Sequence, residues 1–275
     1  MTTEHRVDRD GVEIVYDSHG PDDGPPVILL HGFPDSARLW RHQVAALVAA
    51  GYRVLTPDLR GYGRSGKPAD VAAYNLLVVA GDVTAVLDDA GVATARVVGH
   101  DWGAALAWAV ATLVPDRVDR VAALSVGHPA SFATAGLAQR ERSWYMLLFQ
   151  FPGVAERWVS DDGWARFRDW SRHPDADGVI ADIEAVDALT PALSWYRANV
   201  PPEALVEPPL VLPPVSVPAM GVWSSDDMAL LEEQMTGSAA HCAAGFRYER
   251  IEGAGHWIPL DAPDAVNALL LDFLA

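Results

Sequence analysis

The chain has 275 residues, half hydrophobic and a fifth charged, so it can bury a sizeable core and is not disordered. A net charge of −17 argues against a nucleic-acid partner, and no basic amphipathic stretch is offered to an anionic membrane. The single cysteine, Cys242, excludes an internal disulfide and a cysteine-built zinc site.

Residues Met1 to Asp10 are polar and carry no hydrophobic signal region. The apolar run Gly103 to Val114 is well short of the ~20 residues that span a bilayer. Together with the low thiol count, this leads us to expect a cytoplasmic protein.

In chain order, Arg6 to Tyr16 reads as a hairpin around the turn dipeptide Asp10-Gly11. Val27 to Leu30 reads as a buried strand, Leu39 to Ala50 as a helix stopped by Gly51, and Tyr52 to Thr56 as a strand. Asn75 to Ala90 is an amphipathic helix closed by Gly91, and Ala95 to Val98 a strand. Ala104 to Val114 is a helix ended by Pro115, and Val118 to Ser125 another strand. This alternation predicts a mostly parallel sheet with helices on both faces.

After Pro129 the rhythm breaks. Residues 130–205 are rich in Trp and Arg, with helical spacing and no strand-like run. A proline-rich link, Glu207 to Pro214, follows. The alternation resumes with strands at Ala219 to Trp223 and Phe246 to Ile251 and a helix at Ala265 to Leu274. We therefore expect an α/β core in two parts, 1–129 and 206–275, interrupted by a helical cap over 130–205.

Four loops carry candidate chemistry. In Gly99-His100-Asp101-Trp102-Gly103 a strand meets a helix through small residues, the setting in which a sharp turn lifts a nucleophile above a sheet. The central residue is Asp101, which in isolation would also serve as a helix N-cap. His31-Gly32-Phe33-Pro34 follows the first buried strand, where such enzymes place one oxyanion-hole amide. The donors would be the amides of Phe33 and Trp102. His256, in Gly253-Ala254-Gly255-His256-Trp257, follows the last strand, the expected place of the base. His5, His42, His173 and His241 lie in polar or peripheral contexts. Between nucleophile and histidine, Trp223-Ser224-Ser225-Asp226-Asp227 supplies an acid, with Asp226 and Asp227 both open.

The segment Gly61-Tyr62-Gly63-Arg64-Ser65-Gly66 matches a dinucleotide fingerprint, but Lys67-Pro68 follows where a helix should open. It reads as a structural glycine loop. No metal-ligand spacing such as H-E-x-x-H occurs.

With these motifs the chain resembles the α/β-hydrolase family along nearly its whole length, and more narrowly the soluble epoxide hydrolases. The stretch Tyr145 to Glu156 is similar to the family's lid segment bearing its first ring-opening tyrosine, which falls on Tyr145. Ser194-Trp195-Tyr196-Arg197 is similar to the segment bearing the second, Tyr196. The family's acid loop reads G-x-x-D; Ser224 replaces its glycine, and the spacing points to Asp227.

The residue types explain the chemistry. A carboxylate, with a reference pKa of about 3.9, needs no base to attack a saturated carbon. The resulting ester brings its own carbonyl for water to attack. The resemblance implies that Asp101 is alkylated by an epoxide, that Tyr145 and Tyr196 assist the departing oxygen, and that His256, oriented by Asp227, activates water. It implies a small-molecule epoxide as partner and no cofactor or metal; a homodimer is left open. A haloalkane dehalogenase would share the aspartate and could use Trp102 as a halide donor, but Phe33 stands where many carry asparagine. A non-catalytic binding protein on the same fold would have lost nucleophile, base or acid, and none is missing.

Overall fold

In the computed structural model, residues 2–207 and 211–275 are described; Pro208, Pro209 and Leu210 of the proline-rich link lie outside them. An eight-stranded sheet has the spatial order β1-β2-β4-β3-β5-β6-β7-β8. Its strands are β1 (Thr2–Arg9), β2 (Val12–His19), β3 (Pro26–Leu30), β4 (Arg53–Pro57), β5 (Ala95–His100), β6 (Val118–Leu124), β7 (Ala219–Ser224) and β8 (Phe246–Ile251). The β1–β2 hairpin turns at Asp10-Gly11, both with positive φ. It joins the sheet antiparallel at β4, and all remaining pairs are parallel.

Side-chain alternation along the strands explains the layering. Ile28, Leu30 and Val97 point to one face, packed beneath α2 (Leu76–Asp89) and α3 (Trp102–Leu113). Val27, Leu29 and Val98 point to the other, covered by α1 (Arg41–Ala49) and α12 (Pro263–Leu274). A sheet buried on both faces needs the short apolar runs read from the sequence. Helix α3 starts two residues before the predicted Ala104, directly after Asp101, and is buried from Trp102 to Thr112. The helix predicted from Leu39 opens as a 3-10 turn at Ala37–Trp40 before α1 begins.

Between β6 and β7 runs a helical segment: α4 (Pro129–Thr134), α5 (Gly136–Arg142), α6 (Tyr145–Leu148), α7 (Val154–Ser171, kinked at Asp161–Trp164), α8 (Ala176–Ala185) and α9 (Leu189–Asn199). Short helices α10 (Glu232–Thr236) and α11 (Ile258–Asp261) complete the chain. The Trp195 indole N–H donates to the Arg60 carbonyl at 2.9 Å, and Asn199 bonds the backbone of Tyr74 and Leu76. Arg38 pairs with Asp175 and Asp182 on the far side.

His173 corrects the sequence reading, which placed it in a peripheral setting. It is buried, its Nε2 lies 3.3 Å from Asp35 Oδ2, and its Nδ1 accepts the Asp175 N–H at 3.0 Å. The sequence around it is polar, but packing of its ring edge-to-face on Trp257 takes it out of water. Among the described residues no helix is long and apolar enough to cross a membrane.

Candidate active site

The site grows from the crossing of β5 into α3. Asp101 holds φ 54° and ψ −123°, a conformation costly for a residue with a Cβ and one that lifts the carboxylate off the end of the strand. The two flanking glycines are required by close approach: a methyl at Gly99 would strike the Gly103 carbonyl, and one at Gly103 would strike the Leu30 carbonyl. Asp101 makes no side-chain cap bond to α3, so the N-cap alternative is not what the carboxylate does.

Its oxygen Oδ1 instead accepts the Phe33 N–H at 2.7 Å. Gly32 allows this approach, because a Cβ there would collide with the same oxygen and come within 2.6 Å of the Trp102 nitrogen. The two candidate oxyanion donors therefore border one space.

The other oxygen of Asp101, Oδ2, lies 3.5 Å from His256 Nε2. His256 Nδ1 meets Asp227 Oδ2 at 2.9 Å. Asp227 is buried, and its Oδ1 accepts the amides of Ala229 and Leu230 at 2.8 and 2.9 Å. Asp226 is exposed, and its carboxylate accepts the Ser225 hydroxyl at 3.2 Å. Of the two acids, Asp227 is the one whose carboxylate meets His256.

Burial alone would depress the His256 pKa; the carboxylates of Asp227 and Asp101 overcome it and hold the imidazole up at about 10. The ring sits charged between two carboxylates at neutral pH.

Tyr145 on α6 and Tyr196 on α9 are both buried, 6.1 Å apart between ring centroids and edge-to-face. Tyr196 packs on Trp102 and Phe33, and Phe149 lies against both tyrosines. Burial first, and the charge of Asp101 second, push both phenols well above their usual pKa. Both therefore keep their phenolic protons. The buried Trp102 indole N–H has no well-formed hydrogen bond among the described residues; the Tyr196 hydroxyl is the group it approaches, and that contact opposes the upward shift of the phenol.

Sequence reasoning missed His100 and Ser125. His100 Nε2 and Ser125 Oγ both reach the His256 carbonyl at 2.9 Å. Position was the available signal: His100 directly precedes Asp101, and Ser125 directly follows the neighbouring strand β6. In the glycine loop at Gly61, Gly63 turns where a side chain would collide with the Asp58 carboxylate.

A family model for the alpha/beta hydrolase fold matches residues 25–263. Epoxide hydrolase A of Mycobacterium tuberculosis is 35% identical, the match covering 99% of this chain and 97% of that protein. The crystal structure of epoxide hydrolase A from Mycobacterium thermoresistibile superposes with a TM-score of 0.85 at 32% identity, covering 100% of this chain and 98% of that one. A Bacillus megaterium epoxide hydrolase solved with an inhibitor gives a TM-score of 0.87 at 27% identity, over 98% and 99% of the two chains. The chain belongs to the α/β-hydrolase family, on the side of that family where the epoxide hydrolases lie.

Proposed function

We propose that the protein is an epoxide hydrolase that opens a small-molecule epoxide to a vicinal diol through a covalent ester on Asp101. The observation that carries this reading is a carboxylate at the elbow, where a hydroxyl nucleophile would need a base, with two buried tyrosines that feel its charge. We read residues 130–205 as a cap set between the core parts 1–129 and 206–275, bringing those tyrosines to the nucleophile.

In the first step Asp101 Oδ2 attacks an epoxide carbon while Phe33 N–H holds Oδ1. The ring C–O bond breaks, and Tyr145 and Tyr196 donate to the departing oxygen. Their raised pKa keeps them protonated until then. Esterification removes the Asp101 charge that helped raise it, so the phenols become stronger acids as the alkoxide forms.

The same loss of charge acts on His256. Its imidazolium is supported by two carboxylates before reaction and by Asp227 alone afterwards. The proton it gives up completes neutralisation of the alkoxide, and the freed Nε2 becomes a base. It takes a proton from water as the water attacks the ester carbonyl. The amides of Phe33 and Trp102 stabilise the resulting oxyanion, and Asp227 keeps Nδ1 protonated. On collapse the bond between the acyl carbon and Oδ2 breaks, Oδ2 leaves in the diol with the proton of the added hydroxyl, and Asp101 is again a carboxylate beside a charged His256.

A second reading, haloalkane dehalogenase, rests on the buried indole N–H of Trp102, which makes no well-formed hydrogen bond among the described residues and is a donor a halide could use. Incubation with styrene oxide and with a chloroalkane separates the two. Diol from the oxide without halide from the chloroalkane is the expected result; halide release without diol would reverse the assignment.

A further inference from the structure

The histidine loop is soft by composition. It runs through Gly253, at φ +73°, and Gly255, between the end of β8 and the start of α11. Yet its ring must stand within reach of a water on the Asp101 ester, where displacement by an ångström costs on the order of a hundredfold in rate. Something outside the loop has to hold it.

Four consecutive residues of the acid loop bond four consecutive residues of the histidine loop. Ser225 Oγ accepts the Gly253 N–H at 2.8 Å, and the Asp226 N–H donates to the Ala254 carbonyl at 3.1 Å. The Ser224 hydroxyl donates to the Gly255 carbonyl at 2.7 Å, and Asp227 takes His256 at 2.9 Å. From the opposite side the Ser125 hydroxyl donates to the His256 carbonyl at 2.9 Å, beside His100 Nε2 and the Ile258 N–H.

Ser224 and Ser125 are both fully buried, and each commits its one hydroxyl proton to this loop. Ser125 does so from φ +70°, a left-handed conformation that a serine holds only where its surroundings dictate it. Its own N–H donates to Val222 and its carbonyl accepts Gln234. Ser224 ends β7 and Ser125 follows β6, so rigid strand ends carry both donors.

We propose that Ser224 and Ser125 are positioning residues for His256, acting by fixing the Gly255 and His256 carbonyls. The inference rests on His256 as base of the second step. Neither hydroxyl bonds Asp101, Tyr145 or Tyr196, so attack on the epoxide carbon and cleavage of the ring C–O bond do not run through them, and the later proton transfer from His256 to the alkoxide needs no aligned water. Their effect falls on hydrolysis of the ester, the step in which His256 must hold a water in line.

The test is rapid-quench kinetics with styrene oxide, following the alkylated Asp101 peptide by mass spectrometry in Ser224→Ala, Ser125→Ala and the double variant. Each single change is expected to slow ester hydrolysis about tenfold, and the pair on the order of a hundredfold. Adduct formation stays within about twofold of the parent, so kcat and KM fall together and kcat/KM holds. Ser125→Gly, which removes the hydroxyl and relaxes the backbone, gives the same split, and so keeps the test open if Ser125→Ala fails to fold. Equal slowing of both steps, or parent rates throughout, would overturn the proposal. His256→Gln is run alongside: if that variant accumulates no adduct, it is the base assignment that has failed and not the positioning role.

Discussion

Phe33 N–H donates to Asp101 Oδ1 at 2.7 Å, so an amide suited to an oxyanion already holds one oxygen of the nucleophile at rest. The carboxylate is thereby divided into an oxygen that stays in the hole and an oxygen, Oδ2, that faces His256 and attacks. A single turnover in oxygen-18 water should deliver the unlabelled Oδ2 to the diol and leave the label on Asp101. Labelled diol in the first turnover would mean direct attack by water and end the covalent mechanism.

The separation of Asp227 from Asp226 yields a paired prediction. Asp227 is buried against the imidazole, and Asp226 is exposed. Asp227→Asn should slow hydrolysis of the ester and allow adduct to accumulate, while Asp226→Asn should turn over at the parent rate. The opposite pattern, read by the same mass-spectrometric assay, would move the acid by one residue.

Loss of a pre-organised donor to a developing oxyanion costs about 3 kcal/mol, roughly a hundredfold in rate. Tyr145→Phe and Tyr196→Phe should each slow adduct formation by about that factor, and the double variant should nearly abolish it. The rings remain to pack on Phe149, so the fold should persist. Hydrolysis of adduct already formed should hardly change. Parent rates in both variants would return the tyrosines to a packing role and favour the dehalogenase reading.

The charged His256 also links stability to pH. Its pKa is about 10 when folded against an ordinary 6.5, so its contribution is complete below pH 6.5 and is lost as pH rises toward 10. Asp101→Asn removes one of the two carboxylates responsible and should flatten this loss. Urea midpoints measured from pH 7 to 10 should therefore fall more steeply in the parent than in Asp101→Asn; parallel curves would show that the imidazole is not held by Asp101.

His173 and Asp35 form a buried pair between the helical segment and the loop that carries Phe33. His173→Phe keeps a ring against Trp257 but leaves the Asp35 carboxylate without that donor, at a cost of about 3 kcal/mol in chemical denaturation. Adding Asp35→Leu should recover much of it. A neutral single variant would show that Asp35 is satisfied by other means.

The local sequence determined the alternation of strands and helices, the elbow at Asp101 and the loop of His256. Each of these is a short-range pattern: apolar runs, glycines where backbone meets backbone, and side chains whose chemistry is legible one by one; Tyr145 and Tyr196 carry no such pattern and were reached only through the resemblance to the epoxide hydrolases. The spacing of the resemblance pointed to Asp227 but left Asp226 open, because adjacent loop residues point in opposite directions; the amides of Ala229 and Leu230 and the imidazole of His256 gather on Asp227. The roles of Ser125, Ser224, His100 and His173 were not legible. A serine at a strand end or a histidine in a polar stretch has no local signature; its partner lies up to 156 residues away in the chain, as between His100 and His256. The parallel sheet decides those partnerships, because it lines up the carboxyl ends of strands distant in sequence and buries their polar groups, which must then find hydrogen bonds in one another.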